Sequence, residues 1–380
     1  MRVALVHDYL VHVRGGERVF EALCAAYPEA DIYALIYDPD RMPALYRERS
    51  VSTSFIQHLP LSRRLFRLYL PLYPVAAASM GLRDYDLVIS SSSAWAHGVR
   101  VGPGTLHICY CYSPFRYAWS HHGELVGSRG FAVRVALRPL MAWIRDWDRR
   151  AASRVNAYVA ISRVTQARIA AYYGRESTII HPPVELSHFA PSREPSANYF
   201  LVVSALMRYK RVDIAIEAFN RLGWPLKIVG GGEDEARLRA MAGHNIEFLG
   251  QRSDDEVARL YARCRAFIFT ADEDFGITPL EAMASGRPVV AYEGGGALET
   301  VVDGVSGRFF PDQTADSLAA TLQTTDFDRF DRRRLRRHAE KFAVANFQQR
   351  FTAFVADQLK RRPDAGVSLH RLQLPGNVQG

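Results

Sequence analysis

The chain has 380 residues, 48% of them hydrophobic and 23% charged, with a formal net charge of +8. Such a length exceeds one ordinary core and suits two domains of globular composition. No run of about 18 apolar residues is free of charge, and the opening MRVALVHDYLVH has no secretory pattern, so neither a membrane span nor a signal peptide is expected.

The first elements read as a strand at 3–7, a loop holding Gly15 and Gly16, and a helix at 17–26. Further strands are expected at 31–36, 86–90, 106–110 and 158–161, with helices at 139–154 and 163–173. Residues 181–198 contain four prolines and little periodicity, the pattern of a linker. Beyond it the alternation is regular. Strands at 199–203, 226–229, 246–249, 266–269 and 288–291 alternate with helices at 212–222, 234–242, 254–262 and 279–285. Repeated units of this size imply parallel sheets covered on both faces. The expected domains are 1–190 and 191–345, then a helix at 346–362 packing back on the first domain and a mobile tail at 363–380.

The charge is unevenly placed. Residues 1–190 carry 22 Arg and no Lys against 15 acids, or +7, while the remainder carries 26 basic against 25 acidic residues, or +1. No nucleic-acid motif accompanies the excess, so nucleic acid is not an expected partner. In 61–74 (LSRRLFRLYLPLYP) and 129–150 the arginines are interleaved with apolar and aromatic residues. An anionic membrane surface fits that pattern, and so does the solvated face of a core helix. Cys24, Cys109, Cys111 and Cys264 suggest no disulfide framework, and Cys109 and Cys111 suit a buried strand better than a metal site. A cytoplasmic protein, peripheral at the inner face of the membrane, is the expectation.

The stretch EDFGITPLEAMASG, residues 273–286, sets Glu273 in a loop beyond a strand and Glu281 in the first turn of a short helix. Thr278 as N-cap, Pro279 at the first helical position and Glu281 at the third would form a capping box, and Gly286 would end the helix. Other loops follow strands in the same way. They hold Gly15 and Gly16; Arg208, Lys210 and Arg211 in 204–211; and the glycines at 230–232, 250 and 294–296. Amides and cations suit a diphosphate, and carboxylates suit sugar hydroxyls. A nucleotide-sugar needs both. No phosphate-loop, dinucleotide, nucleophile-elbow or zinc-helix motif is present, Glu235 standing where a dinucleotide fingerprint needs glycine.

These residues carry a resemblance. Glu273-x-Phe275-Gly276-x4-Glu281, the following AMASG-x-PVVA and the glycine turn at 294–296 resemble the signature of glycosyltransferase family 4. The resemblance covers about 1–355 and is most specific at 199–311. It implies the GT-B architecture, an α/β fold of two facing Rossmann-like domains with parallel sheets and an interdomain cleft. It further implies that Glu281 holds the ribose hydroxyls, Glu273 faces the transferred sugar and Lys210 binds the diphosphate. The backbone of Gly276, Ile277 and Thr278, with Gly15 and Gly16, would complete the phosphate pocket. The family's usual arginine before that lysine is Ala205 here, leaving Arg208 or Arg211 to supply the charge.

The stretch 107–119, HICYCYSPFRYAW, is similar to members that build bacterial surface polysaccharides, many of them mannosyltransferases, although Tyr112 stands where a histidine is common. His97, Arg116 and Tyr117 are the expected acceptor residues. The implied activity is retaining transfer of a hexose, mannose from GDP-mannose, to a lipid-linked glycan. No carboxylate pair is read as holding a divalent ion, so neither metal nor cofactor is expected. A nucleotide-sugar epimerase and a non-catalytic subunit of a polysaccharide assembly complex are the alternatives.

Overall fold

Two parallel sheets organise the chain in this computed structural model, which describes residues 1–13, 15–119 and 131–361, without the side chains of 67 and 131–137. The first sheet contains β1 (Val3–Leu10), β2 (Asp31–Tyr37), β3 (Val51–Thr53), β4 (Leu87–Ser92), β5 (Leu106–Cys111), β6 (Ala157–Ala160) and β7 (Ser177–Ile179), in the order β3-β2-β1-β4-β5-β6-β7. The second contains β8 (Phe200–Val203), β9 (Leu226–Val229), β10 (Ile246–Gly250), β11 (Phe267–Phe269), β12 (Val289–Tyr292) and β13 (Gly307–Phe310), in the order β10-β9-β8-β11-β12-β13. Every paired strand is parallel. Interior strands such as FIF and VVAY are apolar along their whole length because helices cover both faces. β3, β7 and β13 were not expected. All three are edge strands; β3 and β7 are three residues long and partly exposed, and β13 is interrupted by the exposed Arg308, so no continuous apolar run announces them.

The chain divides into two compact units. One comprises Met1–Ile161, Thr165–Ile180 and the chain from Gln348; the other comprises Ser162–Val164 and His181–Phe347. The proline-rich 181–198 is therefore not a free linker. Leu186 and Phe189 are buried within the second unit, Arg336 donates to the carbonyl of Leu186 at 3.2 Å, and Arg332 donates to those of Ser192 and Glu194 at 2.8 and 3.0 Å. The helix expected at 346–362 runs Val344–Lys360, and Gln348 donates from Nε2 to the carbonyl of Ala22 at 3.0 Å. The helix expected from 139 begins earlier, spanning Phe131–Ala152 with Pro139 inside it. The tail at 363–380 and Arg129 lie outside the described residues.

Candidate active site

In each sheet the strand order reverses beside the first strand, β1 lying between β2 and β4 and β8 between β9 and β11. Loops leaving the carboxyl ends of strands at such a reversal diverge and leave a crevice, where open α/β sheets take ligands. In the second sheet those loops are 204–211 after β8 and 270–278 after β11.

The reversal brings Lys210 and Glu273 together. Nζ of Lys210 pairs with Oε1 of Glu273, both side chains being mostly removed from solvent. Lys210 ends a 3-10 turn at Arg208–Lys210, and its carbonyl accepts from Oγ1 of Thr270 at 2.9 Å. Gln313 donates from Nε2 to the carbonyl of Thr270, also at 2.9 Å. The carbonyl of Glu273 accepts the N–H of Gly296 at 2.7 Å. Both charged residues thus stand on backbone anchored to neighbouring loops.

The glycine runs have a packing reason. A Cβ on Gly230 would lie 1.9 Å from the carbonyl oxygen of Ser204, and one on Gly232 would lie 2.3 Å from that of Leu206. A Cβ on Gly296 would lie 2.2 Å from Cα of Phe275. Glycine therefore lets the loops after β8, β9, β11 and β12 pack backbone to backbone. Gly276 has φ +82°, which favours glycine, and a Cβ there would meet the ring of Phe269 at 2.9 Å.

The capping box expected around Glu281 does not form. The helix Thr278–Ala284 has Ile277 at its N-cap, already in right-handed helical geometry, with no side-chain cap bond. The turn starts one residue earlier than the pattern suggests, so Thr278 lies inside it. Oε2 of Glu281 instead accepts from the hydroxyl of Tyr261 at 3.2 Å. Burial, reinforced by that carboxylate, raises the Tyr261 phenol well above its ordinary pKa, so it stays a donor. A capping box does occur at Ser253 and Glu256, ahead of the helix Asp254–Arg263. Gly286 takes the left-handed conformation expected of it, with φ +71°.

The two arginines beside Lys210 differ. Arg211, left-handed at φ +51°, has Nε 3.3 Å from Asp213 and donates to Gln313 at 3.4 Å, so it is held by its own surroundings. Arg208 is 85% exposed, its Nε 3.7 Å from Asp234. Asp234 is in turn bound at 2.8 and 2.6 Å by Arg237, whose hydrogen bonds hold its carboxyl below the usual range.

In the first unit, Gly15 and Gly16 open the helix Gly15–Ala26 and do not precede it. The Tyr112 hydroxyl donates to the carbonyl of Gly16 at 2.8 Å and lies 2.7 Å from Oγ of Ser91. Tyr112 therefore braces the start of that helix. Arg116 and Tyr117 lie on the short helix Arg116–Trp119, with Tyr117 exposed.

His97 is a correction. It is 3% exposed, Nδ1 lies 3.3 Å from Oγ of Ser92, and Nε2 lies 3.0 Å from the fully buried Asp148. Asp148 also accepts from Trp119 at 2.7 Å and Tyr173 at 2.9 Å. This is a core network, out of reach of an acceptor. Sequence reasoning also passed over Asp8, whose carboxylate accepts the N–H groups of Ser93, Ala94, Trp95 and Ala96 at 2.6–2.9 Å, together with Oγ of Ser93 at 2.9 Å. A lone acid at a strand end carries no pattern that would reveal this.

Among the described residues no group of three or more His, Cys, Asp or Glu is placed to hold a metal. A separate cavity of about 500 Å³, lined by residues including Tyr199, Lys227, Arg259 and Arg263, includes none of Lys210, Glu273 and Glu281.

Two α/β units, each built on a parallel sheet, have the fold of the GT-B class. The chain belongs to the glycosyltransferases, since residues 13–188 match the family described as Glycosyltransferase Family 4 and residues 184–342 the one described as Glycosyl transferases group 1. It is 35% identical over 133 residues to O-antigen chain mannosyltransferase C of Escherichia coli, covering 33% of this chain and 36% of that one. It is 28% identical over 239 residues to the GDP-mannose-dependent alpha-(1-6)-phosphatidylinositol monomannoside mannosyltransferase of Mycolicibacterium smegmatis, covering 54% and 60%. These matches span about a third to three-fifths of the curated relatives' lengths. Anabaena HepE, solved in complex with UDP, shares the fold at TM-score 0.67 and 17% identity, covering 94% of this chain and all of that one.

Proposed function

We propose that the protein is a retaining hexosyltransferase that moves mannose from GDP-mannose to a lipid-linked glycan in bacterial surface polysaccharide synthesis. The observation that carries the reading is the Lys210–Glu273 pair at the β8–β11 reversal, with Glu281 on the helix that follows. The names of the relatives from Escherichia coli and Mycolicibacterium smegmatis favour mannose, and the second favours the guanosine nucleotide.

In this reading Lys210 turns from Glu273 to the diphosphate, assisted by the backbone of Gly276, Ile277 and Thr278. Arg208, exposed and loosely held, is the better candidate than Arg211 for the cation missing at Ala205. Glu281 takes the ribose hydroxyls and Glu273 the sugar. The bond from the anomeric carbon to the phosphate oxygen breaks, and the acceptor oxygen attacks from the same face. The acceptor's proton passes to the departing phosphate oxygen. Fixed positive charge aimed at the leaving group is what such a site contributes, and the reading asks for no metal. Arg116 and Tyr117 are assigned to the acceptor side. The protein works at an anionic membrane surface as a peripheral protein; among the described residues no helix is long and apolar enough to cross a membrane.

The test is turnover with GDP-mannose or UDP-glucose, each with and without a bacterial lipid extract, followed by NMR of the anomeric configuration. Extract-dependent release of GDP with an α-linked product is expected. Conversion of the donor without extract points to an epimerase, and tight nucleotide binding without turnover points to a binding subunit.

A further inference from the structure

At His181 the chain leaves the first unit and enters the long stretch of the second. Its imidazole lies nearly parallel to the ring of Phe275, with centroids 5.3 Å apart and planes at 22°, and it packs on Phe342 at 5.6 Å. Phe275 itself touches Phe342 at 5.9 Å. Nε2 of His181 lies 3.8 Å from Oε2 of Glu299, whose side chain is 9% exposed.

Two of those partners, Phe275 and Glu299, belong to the segments that hold the candidate site. Phe275 lies between Glu273 and Gly276, and Glu299 lies in the turn Ala297–Thr300 just after the glycine run 294–296. The two loops are wedged together, because Gly296 donates to the carbonyl of Glu273 and has no room for a Cβ against Phe275. Movement of the Phe275 backbone is therefore passed directly to Glu273. One ring, His181, grips both sides of the wedge.

We infer that His181 is a positioning residue. Stacked on Phe275 and set 3.8 Å from Glu299, it holds the 272–276 loop so that Glu273 and Gly276 keep their places. A misplacement of about 1 Å in a reacting group can cost roughly 100-fold in rate, so partial loosening of this loop is expected to cost about 10-fold. The kinetic consequence rests on the glycosyl-transfer reading; the loop-holding role does not.

Two measurements on the full chain separate them. In His181→Ala, amide hydrogen exchange in the peptide covering 270–278 should accelerate at least about 10-fold while the sheet peptides stay protected. His181→Phe, which keeps a ring on Phe275, should exchange like wild type. With GDP-mannose and lipid extract, His181→Ala should lower kcat about 10-fold with donor KM within threefold, and His181→Phe should recover most of it. Should His181→Ala not fold, His181→Leu, of similar bulk without a stacking face, carries the same expectation. Unchanged exchange at 270–278 in a folded Ala or Leu variant overturns the inference, even if the melting temperature drops. An inactive wild type whose Ala variant still loosens 270–278 overturns the catalytic reading alone.

Discussion

The hydroxyl of Tyr261 points at Oε2 of Glu281 across 3.2 Å, from the helix Asp254–Arg263 to the helix Thr278–Ala284. A buried phenol thus orients the carboxylate that an isolated sequence pattern would assign to a helix cap. Glu281→Gln can still accept from Tyr261 through its amide oxygen, so the fold should be kept. Loss of charged hydrogen bonds to a ribose costs about 1.5–3 kcal/mol, and the Kd for GDP should rise at least about 10-fold. Calorimetric titration reads it; a folded variant with wild-type affinity would leave Glu281 only its contact with Tyr261. Tyr261→Phe should weaken GDP binding less, because it frees the carboxylate without removing it.

In the proposed reading, Lys210 supplies a cation for the leaving group and Glu273 a carboxylate for the sugar. Lys210→Ala should weaken GDP binding and lower turnover roughly 10- to 150-fold, the loss of one charge-assisted phosphate contact. Glu273→Gln should lower turnover with little effect on GDP affinity, since it leaves the phosphate cation in place and unpaired. The pair of titrations and rates distinguishes the roles. Equal loss of GDP affinity in both variants would mean that Glu273 serves only to hold Lys210.

Much of the second unit was legible because parallel strands buried on both faces are written as short apolar runs, as FLVV, FIF and VVAY show. Loops after such strands lie at one end of the sheet, and the resemblance to family 4 singles out Glu273 and Lys210 among them. What escaped is set by tertiary partners. Thr278 to Glu281 has the local form of a cap, yet Tyr261 determines where the carboxylate points. His97 sits in an Ala-His-Gly stretch with nothing to mark its burial, and its partner Asp148 lies on a distant helix. Prolines at 181–198 describe a chain that cannot be helical, without showing that Arg332 and Arg336 fasten it down.

Two buried histidines should shape stability against pH. Burial, then the positive charges of His97 and Arg154, push His107 down to about 3, whereas an unfolded histidine titrates near 6.5. Between those values the unfolded chain binds a proton the folded chain refuses, so stability falls as pH drops from about 6.5 toward 3. His97 acts in the other direction. Burial opposes its charge, but Asp148 outweighs burial and raises the pKa. That contribution is complete below about 6.5 and is lost as pH rises through the folded value. Melting curves from pH 4 to 9 should show the acid loss flattened in His107→Gln and the alkaline loss flattened in His97→Gln, by roughly 5 °C at either extreme. Parallel curves for all three proteins would mean that neither site titrates as its surroundings require.

The last prediction concerns the exposed apolar residues at 61–75 of the first unit. Among residues 61–75, Leu61, Leu65, Leu68, Leu72 and Val75 are exposed, Leu68 by 68%, in a region of short helical turns. Arg63 and Arg64 stand among them, but Nη1 of Arg63 lies 3.6 Å from Asp38 and 3.8 Å from Asp40, so part of its charge is already answered. The Arg67 side chain, and those of 131–137 including Arg134, lie outside the described residues. A basic residue near an anionic surface is worth about 1 kcal/mol, whereas burying a leucine side chain is worth roughly 1.5–3 kcal/mol. Apolar insertion should therefore outweigh charge. With vesicles rich in phosphatidylglycerol, Leu65→Ser with Leu68→Ser should abolish sedimentation, while Arg63→Ser with Arg64→Ser should reduce it severalfold. Wild-type binding should weaken as salt rises toward 1 M, where the Debye length is about 3 Å, without vanishing. GDP affinity, which the proposed reading assigns to residues of the second unit, should be unchanged in both variants. If wild type stays in the supernatant at low salt, these leucines face water and the peripheral-membrane reading falls.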